Sequence, residues 1–120
     1  MLAISVIICT YNPDAKVLGS CLEAVSAATA RYAPAEIIII DNNSAKPVQE
    51  VTAVKALLNN IHTSRIVKEE KQGLTQARLR GIREARGQML VFVDDDNIID
   101  EFFFENVAAI AAAYPFIASF

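Results

Sequence analysis

Short runs of apolar residues alternate along this 120-residue chain with segments of helical periodicity. The runs cover residues 4–9, 36–40, 65–67 and 89–93, and their length is typical of buried strands. Between and after them, apolar side chains recur every three or four residues, as in an amphipathic helix. Strands that alternate with helices form parallel sheets through right-handed crossovers. The pattern therefore predicts an α/β fold, with a mainly parallel sheet, helices on both faces and the run 65–67 nearer an edge.

The last part of the chain bears on domain organisation. Helices are predicted over residues 74–86 and about 101–113, and the second must stop before Pro115, which cannot continue a helix. Residues 116–120 are apolar again and predict the start of another strand. A domain seldom ends on such a segment. We therefore expect a truncated domain, with a homo-oligomer formed through this apolar edge.

Composition limits the possible classes of protein. Hydrophobic residues make up 53% of the chain, but no apolar run reaches the roughly 18 residues of a membrane helix. The first nine residues lack a basic region and a cleavage site, so they predict a strand rather than a signal peptide. A formal net charge of −3 argues against nucleic acid as a partner.

Few residues suggest redox or soft-metal chemistry. Cys9 and Cys21 lack metal-type spacing and are expected to be reduced thiols, which favours a cytoplasmic location. In a longer parent protein, that location could be at a membrane periphery. His62, the only histidine, has no companion ligand and is expected to be incidental.

Three consecutive carboxylates, Asp94, Asp95 and Asp96, follow the unbroken apolar run 89–93, which is typical of a fully buried parallel strand. Two unit charges about 5 Å apart repel by roughly 3 kcal/mol at an effective dielectric near 20. A hard divalent cation would relieve that repulsion. On an extended chain Asp94 and Asp96 point one way and Asp95 the other, which gives a D-x-D pair for one metal that also holds phosphates. A solvated acidic turn that caps a helix near Asp100 is the alternative.

Two other predicted strands also end in polar residues. The residues after the first and second strands are Thr10, Tyr11 and Asn12, and then Asp41, Asn42, Asn43 and Ser44. Ligands of open α/β sheets bind outside the carboxyl ends of the strands, so we expect a binding site here. Asp41 would add a fourth carboxylate near the triplet. The alternatives are a helix cap formed by Asn12 and Pro13, and a simple turn at Asn43 and Ser44.

An arginine lies on the apolar face of the predicted helix 74–86. That face is formed by Leu74, Ala77, Gly81, Ile82 and Ala85. Arg78 falls in its middle, and a buried guanidinium requires an anionic partner such as carboxylate or phosphate. Gly81 would let the helix approach the sheet closely, since a mid-helix glycine otherwise costs about 1 kcal/mol relative to alanine. The alternative is that Arg78 extends to the rim of the helix.

Four blocks of the sequence resemble the family 2 glycosyltransferases of the GT-A fold. They are residues 5–12 (SVIICTYN), 40–44 (IDNNS), 73–78 (GLTQAR) and 81–96, which ends in VDDD, in the order and at the spacing of that family. The resemblance implies a Rossmann-like GT-A domain. It also implies inverting transfer of a sugar from a nucleotide-diphosphate donor, typically a UDP-sugar, to an unknown acceptor, with Mn²⁺ or Mg²⁺ bridging the diphosphate.

The resemblance implies roles for single residues as well. The nucleotide-binding residues would be Thr10, Tyr11, Asn12, Asp41, Asn43, Arg78, Asp94 and Asp95. Asp41 would accept a hydrogen bond from the base, and a carboxylate suits the N–H of uracil because it is a pure acceptor. Arg78 would lie near the diphosphate, while Asp94 and Asp95 would face the ribose and the sugar. Asp96, together with Asp94 of the D-x-D pair, would ligate the metal.

The chain departs from the family pattern in two respects. Leu79 stands where many relatives have Asn after the arginine. In the family, the acceptor-binding half and the catalytic carboxylate lie beyond this point of the fold. Residues 1–120 are therefore expected to form the nucleotide-sugar-binding part, with no catalytic residue identified, a base beyond Phe120 and no transfer by the chain alone.

Two other functions remain as alternatives: a Mg²⁺-binding receiver-like signalling domain and a non-catalytic nucleotide-binding fragment. The charged residues Lys68, Glu69 and Glu70 after the third strand argue against a receiver domain. A dinucleotide-binding domain is disfavoured because no glycine follows the first strand.

Overall fold

Strands and helices alternate through the structure, a computed structural model that describes residues 2–32, 34–61 and 63–113. The strands are β1 (Ile4–Thr10), β2 (Ala35–Asp41), β3 (Ser64–Lys68) and β4 (Met89–Phe92). The helices are α1 (Ala15–Arg31), α2 (Thr52–Asn60), α3 (Leu74–Glu84) and α4 (Phe103–Ala113), and a 3₁₀ turn, Val48–Glu50, precedes α2. All strand pairs are parallel. The predicted element order and fold class are confirmed.

The sheet has the strand order β3-β2-β1-β4. Strands β1 and β2 are central and pair over seven residues each, from Ile4 opposite Ala35 to Thr10 opposite Asp41. Strand β3 lies at one edge, as predicted. Strand β4 lies at the other edge, so the prediction that it is fully buried is wrong, and Phe92 is 39% exposed. Its exposure follows from its position, since among the described residues β4 pairs only with β1.

Alternating side chains of the central strands face two layers of helices. One layer, formed by α1, α2 and α4, packs on the side chains of Ile4, Val6 and Ile8. The other layer is α3, which covers Ile7 and Ile38 on the opposite face. Each fully buried aliphatic side chain contributes about 1.5–3 kcal/mol. These contacts fix the carboxyl ends of the strands relative to one another.

Helix α3 approaches the sheet very closely at Gly81. A Cβ atom at this position would lie 2.5 Å from Cγ2 of Ile7, which is closer than carbon atoms pack. Ile7 is fully buried and β-branched, so its side chain has little freedom to move away. The prediction that Gly81 permits close packing is confirmed.

A buried carboxylate, Glu36, joins strands and loops on the α3 side of the sheet. Its side chain is 1% exposed and accepts hydrogen bonds from Ser5 Oγ (2.5 Å), Arg65 Nη1 (2.7 Å) and the Arg86 backbone N–H (2.6 Å). Ser5 Oγ in turn accepts from the Gly87 N–H (2.7 Å). Burial alone would raise the pKa of Glu36, but these hydrogen bonds and the Arg65 charge outweigh it and lower the pKa from 4.5. Glu36 therefore anchors the segment after α3.

Several local predictions have clear outcomes. Asp14, not Asn12 with Pro13, caps α1: its carboxylate accepts from the backbone N–H groups of Lys16 (2.9 Å) and Val17 (3.1 Å). Helix α4 begins at residue 103 rather than near 101.

Other sequence predictions concern parts of the chain that the structure does not cover. The predicted strand at residues 116–120 and His62 lie outside the described residues. Across the described ranges, no helix is both long and apolar enough to cross a membrane.

Candidate functional site

The sheet contains a topological switch point between β1 and β4. The chain runs from β1 outward through β2 to β3 and then returns to the other side of β1 as β4. Ligands of open α/β sheets bind at such a point, outside the carboxyl ends of the strands. Thr10 Oγ1 donates a hydrogen bond of 2.7 Å to Asp95 Oδ2, which joins the ends of the two strands. The structure thus brings two predicted site residues together at the expected place.

The acidic triplet forms a turn rather than an extended strand. The Asn97 N–H donates to the Asp94 carbonyl oxygen (3.0 Å), and Cys21 Sγ donates to the same oxygen (3.4 Å). The prediction of simple strand alternation is therefore wrong at this point, because the chain turns after β4. Asp94 and Asp96 are nevertheless both exposed, whereas Asp95 is partly buried against Thr10.

A cleft of about 370 Å³ opens beside the switch point. Its lining residues are Cys9, Thr10, Tyr11, Asn42, Gln72, Gly73, Leu74, Ala77 and Asp95. Thr10 is buried, whereas Tyr11 is half exposed. The first turn of α3 forms part of the cleft wall, through Leu74 and Ala77. Because a helix N-terminus carries partial positive charge, this wall favours an anionic ligand.

Arg78 is exposed, so the prediction of a buried guanidinium is wrong. The predicted apolar face of α3 is only partly covered: Ala77 and Gly81 are buried, but Leu74 and Ile82 are about half exposed. The reason is that β4 is an edge strand, which leaves the outer side of α3 uncovered by the described residues. The Arg78 guanidinium lies 6.0 Å from the centre of the Phe92 ring.

The pKa values of the two cysteine thiols reflect burial and the charges around this end of the sheet. Burial raises the pKa of the Cys9 thiol from 9.0 to about 11; the positive charge of Arg78 opposes the rise, and the Asp95 and Asp94 carboxylates add to it. Burial, reinforced by Asp95, Asp96 and Asp94, likewise raises the pKa of Cys21 to about 11. Both thiols are free, as predicted. Arg78 and the acidic turn therefore act on the same small region.

Asp41 is buried at the end of β2 and organises the loop that follows. It is 4% exposed, and its two carboxylate oxygens accept from the backbone N–H groups of Ser44 (3.0 Å) and Val48 (3.2 Å). A separate cavity of about 350 Å³ lies beside Asp41 and is also lined by Ile66 and Lys68. A carboxylate has about four lone-pair sites, so these two bonds leave acceptor capacity for a ligand.

Asn12 and Asn43 shape the loops around the cleft. Both have left-handed backbones, with φ of 44° and 64°, which asparagine adopts more readily than most residues. The Asn12 N–H donates to Ser44 Oγ (2.8 Å), and Asn12 Oδ1 accepts from the Ala45 N–H (2.8 Å). Asn12 lines a neighbouring cavity of about 540 Å³ rather than the cleft at the switch point. The Asn43 carbonyl accepts a weak bond of 3.4 Å from Gln72 Nε2.

The carboxylate oxygens of the acidic turn suit a hard divalent cation, provided that a bound ligand supplies further oxygen atoms to the cation. Within residues 2–32, 34–61 and 63–113, no group of three or more His, Cys, Asp or Glu side chains could hold a metal ion by itself. Asp94 and Asp96, however, expose oxygen ligands of the kind that Mg²⁺ and Mn²⁺ prefer. Mg²⁺ sites often combine one or two carboxylates with phosphate oxygens, and this turn offers two.

Sequence reasoning assigned no binding role to six of the nine residues that line the cleft: Cys9, Asn42, Gln72, Gly73, Leu74 and Ala77. Asn42 sits between the predicted site residues Asp41 and Asn43, so its position alone could have suggested it. Gln72 and Leu74 flank the glycine that begins α3. Their proximity to β1 depends on the sheet order, which a local pattern does not contain.

Comparisons of the sequence with a family profile and with known proteins indicate the same family. The sequence profile described as glycosyl transferase family 2 matches residues 5–119. The chain is 30% identical over 105 residues to a relative named putative glycosyltransferase EpsH of Bacillus subtilis, covering 88% of this chain and 29% of that protein. The chain thus spans less than a third of the length of this relative.

Two solved structures share the fold. One is the mannosyltransferase PcManGT from Pyrobaculum calidifontis in complex with GDP-Man and Mn²⁺, with a TM-score of 0.77, 21% identity and coverage of 92% of this chain and 32% of that one. The other is GalNAc-T7 with UDP, GalNAc and Mn²⁺, with a TM-score of 0.68, 28% identity and coverage of 80% and 18%.

The topology and the comparisons agree. A receiver-like fold has the strand order 2-1-3-4-5, whereas β3 and β4 here lie at opposite edges, so that alternative is wrong. The observed sheet has the arrangement 3-2-1-4 of a Rossmann-like half, and the chain shares its fold with the two structures above. With the family profile matching almost the whole chain, this protein belongs to glycosyltransferase family 2.

Proposed function

We propose that this chain is the donor-binding part of an inverting glycosyltransferase that uses a nucleoside-diphosphate sugar, in particular a UDP-sugar. The observation that carries the proposal is the Thr10–Asp95 hydrogen bond of 2.7 Å, which joins the acidic turn to β1 beside the cleft. The turn and the cleft lie where an open α/β sheet binds its ligand. GDP-Man in PcManGT and UDP in GalNAc-T7 support a nucleoside diphosphate as the ligand class.

Asp94 and Asp96 would hold a divalent cation, Mn²⁺ or Mg²⁺, together with oxygens of the donor diphosphate. Their exposed carboxylates and the Mn²⁺ of the two related structures support this assignment. When bound, the cation would supply charge stabilisation to the departing diphosphate. Asp95 is tied to Thr10 and is better placed to keep the turn in position while it faces the ribose and sugar.

The remaining residues suit the anionic and aromatic parts of a nucleotide. Arg78 is exposed near the carboxyl end of β1, and its charge would attract the diphosphate. The start of α3 adds partial positive charge on the same side. Tyr11 offers an aromatic surface at the cleft opening, and Asn12 and Asn43 support the adjacent loops. The Arg78 guanidinium and the partial positive charge at the start of α3 would together stabilise the negative charge that develops on the leaving diphosphate.

Uracil recognition is proposed for Asp41. The cavity beside it and the unused acceptor capacity of its carboxylate support this role. The choice of UDP over GDP rests on this residue and on the family resemblance, since the related structures contain either nucleotide.

Residues 1–120 would form only the nucleotide-sugar-binding part. Inverting transfer requires a base that deprotonates the acceptor hydroxyl. Among the described residues that line the cleft the one carboxylate is Asp95, which accepts a hydrogen bond from Thr10 and is assigned to the ribose and sugar rather than to the acceptor. We therefore propose that the acceptor wall and the base come from sequence beyond Phe120, and that the chain alone binds the donor without transfer. On its own it would behave as a non-catalytic nucleotide-binding fragment.

The metal assignment is tested by calorimetric titration of UDP with and without Mn²⁺. Mn²⁺ should strengthen UDP binding to the wild type by tenfold or more and leave binding to Asp96→Ala unchanged. Glu101→Ala, which removes an exposed carboxylate outside the turn, is the control and should behave like the wild type. Equal, metal-independent binding to wild type and Asp96→Ala would contradict the proposal. A parallel titration with GDP measures the preference for the base.

The role of Asp41 is tested by comparing two ligands. Asp41→Ala should weaken UDP binding more than pyrophosphate binding, because only UDP carries the base. Since Asp41 also supports the backbone of Ser44 and Val48, Asp41→Asn is the milder companion variant. Equal losses for UDP and pyrophosphate would make Asp41 a loop residue only.

A further inference from the structure

The side chain of Asn42 makes three hydrogen bonds to the segment that leads into α3. Its Nδ2 donates to the carbonyl oxygens of Glu69 (3.1 Å) and Lys71 (2.7 Å), and its Oδ1 accepts from the Gly73 N–H (2.9 Å). Asn42 is 5% exposed, and its own backbone N–H donates to the Thr10 carbonyl (2.9 Å). One residue thus connects β1, the end of β2 and the 69–73 loop.

These bonds determine where α3 begins. Gly73 is the N-cap of α3 and has φ of 132°, a backbone conformation that other residues rarely adopt. Its carbonyl accepts from the Ala77 N–H (3.1 Å), the first hydrogen bond of the helix. Within the part of the chain that the structure describes, no side-chain cap hydrogen bond forms at this helix end. The hydrogen bond from the Gly73 N–H to Asn42 Oδ1 therefore holds the N-cap residue in place, as a capping side chain would otherwise do.

The residues held in this way form one wall of the cleft. Gln72, Gly73 and Leu74 line the cleft together with Asn42 itself, and Thr10 and Asp95 line it as well. The same helix carries Arg78, one turn further on. A shift of the 69–73 loop would therefore move the start of α3 and its positive end relative to the acidic turn.

We propose that Asn42 is a positioning residue for the nucleotide donor: it holds the α3 side of the cleft at a fixed distance from the acidic turn. The inference rests on the proposed function, because it takes the cleft to be the donor site. Asparagine suits this positioning role because its short side chain carries two N–H donors and one carbonyl acceptor on the same amide group. Alanine would remove all three bonds, of which the one to the Glu69 carbonyl is buried and those to Lys71 and Gly73 are partly buried.

The experiment compares Asn42→Ala with a control of similar stability. Val54→Ala creates a small cavity in α2, in the core on the other side of the sheet, and leaves the cleft untouched. Asn42→Ser, which keeps a polar group at shorter reach, replaces Asn42→Ala if that variant does not fold. All measurements use the 120-residue chain at a temperature well below the unfolding transition of each variant.

Two measurements separate positioning from general stability. Titration with UDP and Mn²⁺ should give at least a tenfold weaker affinity for Asn42→Ala and a change within twofold for Val54→Ala. Hydrogen exchange without ligand should be at least tenfold faster at Ala77, whose N–H donates to the Gly73 carbonyl, in Asn42→Ala than in Val54→Ala. Equal UDP affinities in the two variants, or equal exchange at Ala77, would overturn the inference.

Failure of the proposed function gives a different result. In that case the wild type binds neither UDP nor GDP with Mn²⁺, while the exchange rates still measure whether Asn42 holds the start of α3. Weak binding confined to Asn42→Ala, with fast exchange at Ala77, supports both.

Discussion

Two glycines lie within helices, and the structure predicts opposite effects when each is replaced by alanine. Alanine is favoured over glycine inside a helix by about 1 kcal/mol. At Gly19 in α1, an added Cβ would lie 3.5 Å from Cβ of Ala53, an ordinary contact, so Gly19→Ala should stabilise the protein by roughly 0.5–1 kcal/mol. At Gly81 in α3, the added Cβ would lie 2.5 Å from Ile7 Cγ2. Overpacking of this kind costs about 1–3 kcal/mol.

The difference between the two variants isolates the cost of overpacking, because the gain in helix propensity is common to both. Gly81→Ala should therefore be less stable than Gly19→Ala by roughly 1–3 kcal/mol. Urea unfolding at 25 °C and pH 7 measures both variants and the wild type, and an unchanged m-value shows that the comparison concerns stability alone. If Gly81→Ala is as stabilising as Gly19→Ala, α3 does not approach the sheet as closely as the structure indicates.

Other predictions concern the buried carboxylate, the switch point and self-association. Glu36→Gln should cost about 3–5 kcal/mol at pH 7, because it breaks a buried charged network, whereas the exposed Glu23→Gln should cost less than about 0.5 kcal/mol. The pKa of Glu36 is below 4.5 in the folded protein, so its contribution to stability is present above pH 4.5 and is lost as the pH falls through the folded pKa. Lowering the pH should therefore reduce the free energy of unfolding of the wild type more than that of Glu36→Gln, and identical pH profiles would contradict this. Thr10→Val should cost about 1.5–3 kcal/mol in urea unfolding, since it removes a charged hydrogen bond to Asp95, and should weaken UDP binding with Mn²⁺; wild-type values for both would refute the role of Thr10. The chain should self-associate through exposed apolar side chains, which include Ile110 of α4 at 42% exposure, and a light-scattering mass of one chain at moderate concentration would count against it.

The sequence alone determined the order of the elements and much of the candidate site. Hydrophobic periodicity is a local property, so the four strands and the helices between them could be located to within a few residues. The polar residues after β1, β2 and β4 could be assigned to one edge of the sheet, because parallel strands end on the same side. The close approach at Gly81 was also predictable, since a glycine on the packed face of a helix costs stability unless its small size is needed.

Only the tertiary structure decided which of these residues meet. The bond between Thr10 and Asp95 joins residues 85 positions apart, and it exists because β4 returns to the free side of β1. The same sheet order makes β4 an edge strand, which exposes Arg78 although its helix pattern predicted burial. The three bonds of Asn42 reach 27 to 31 positions along the chain. A local pattern contains none of these contacts, because each depends on the side of the sheet to which a crossover returns the chain.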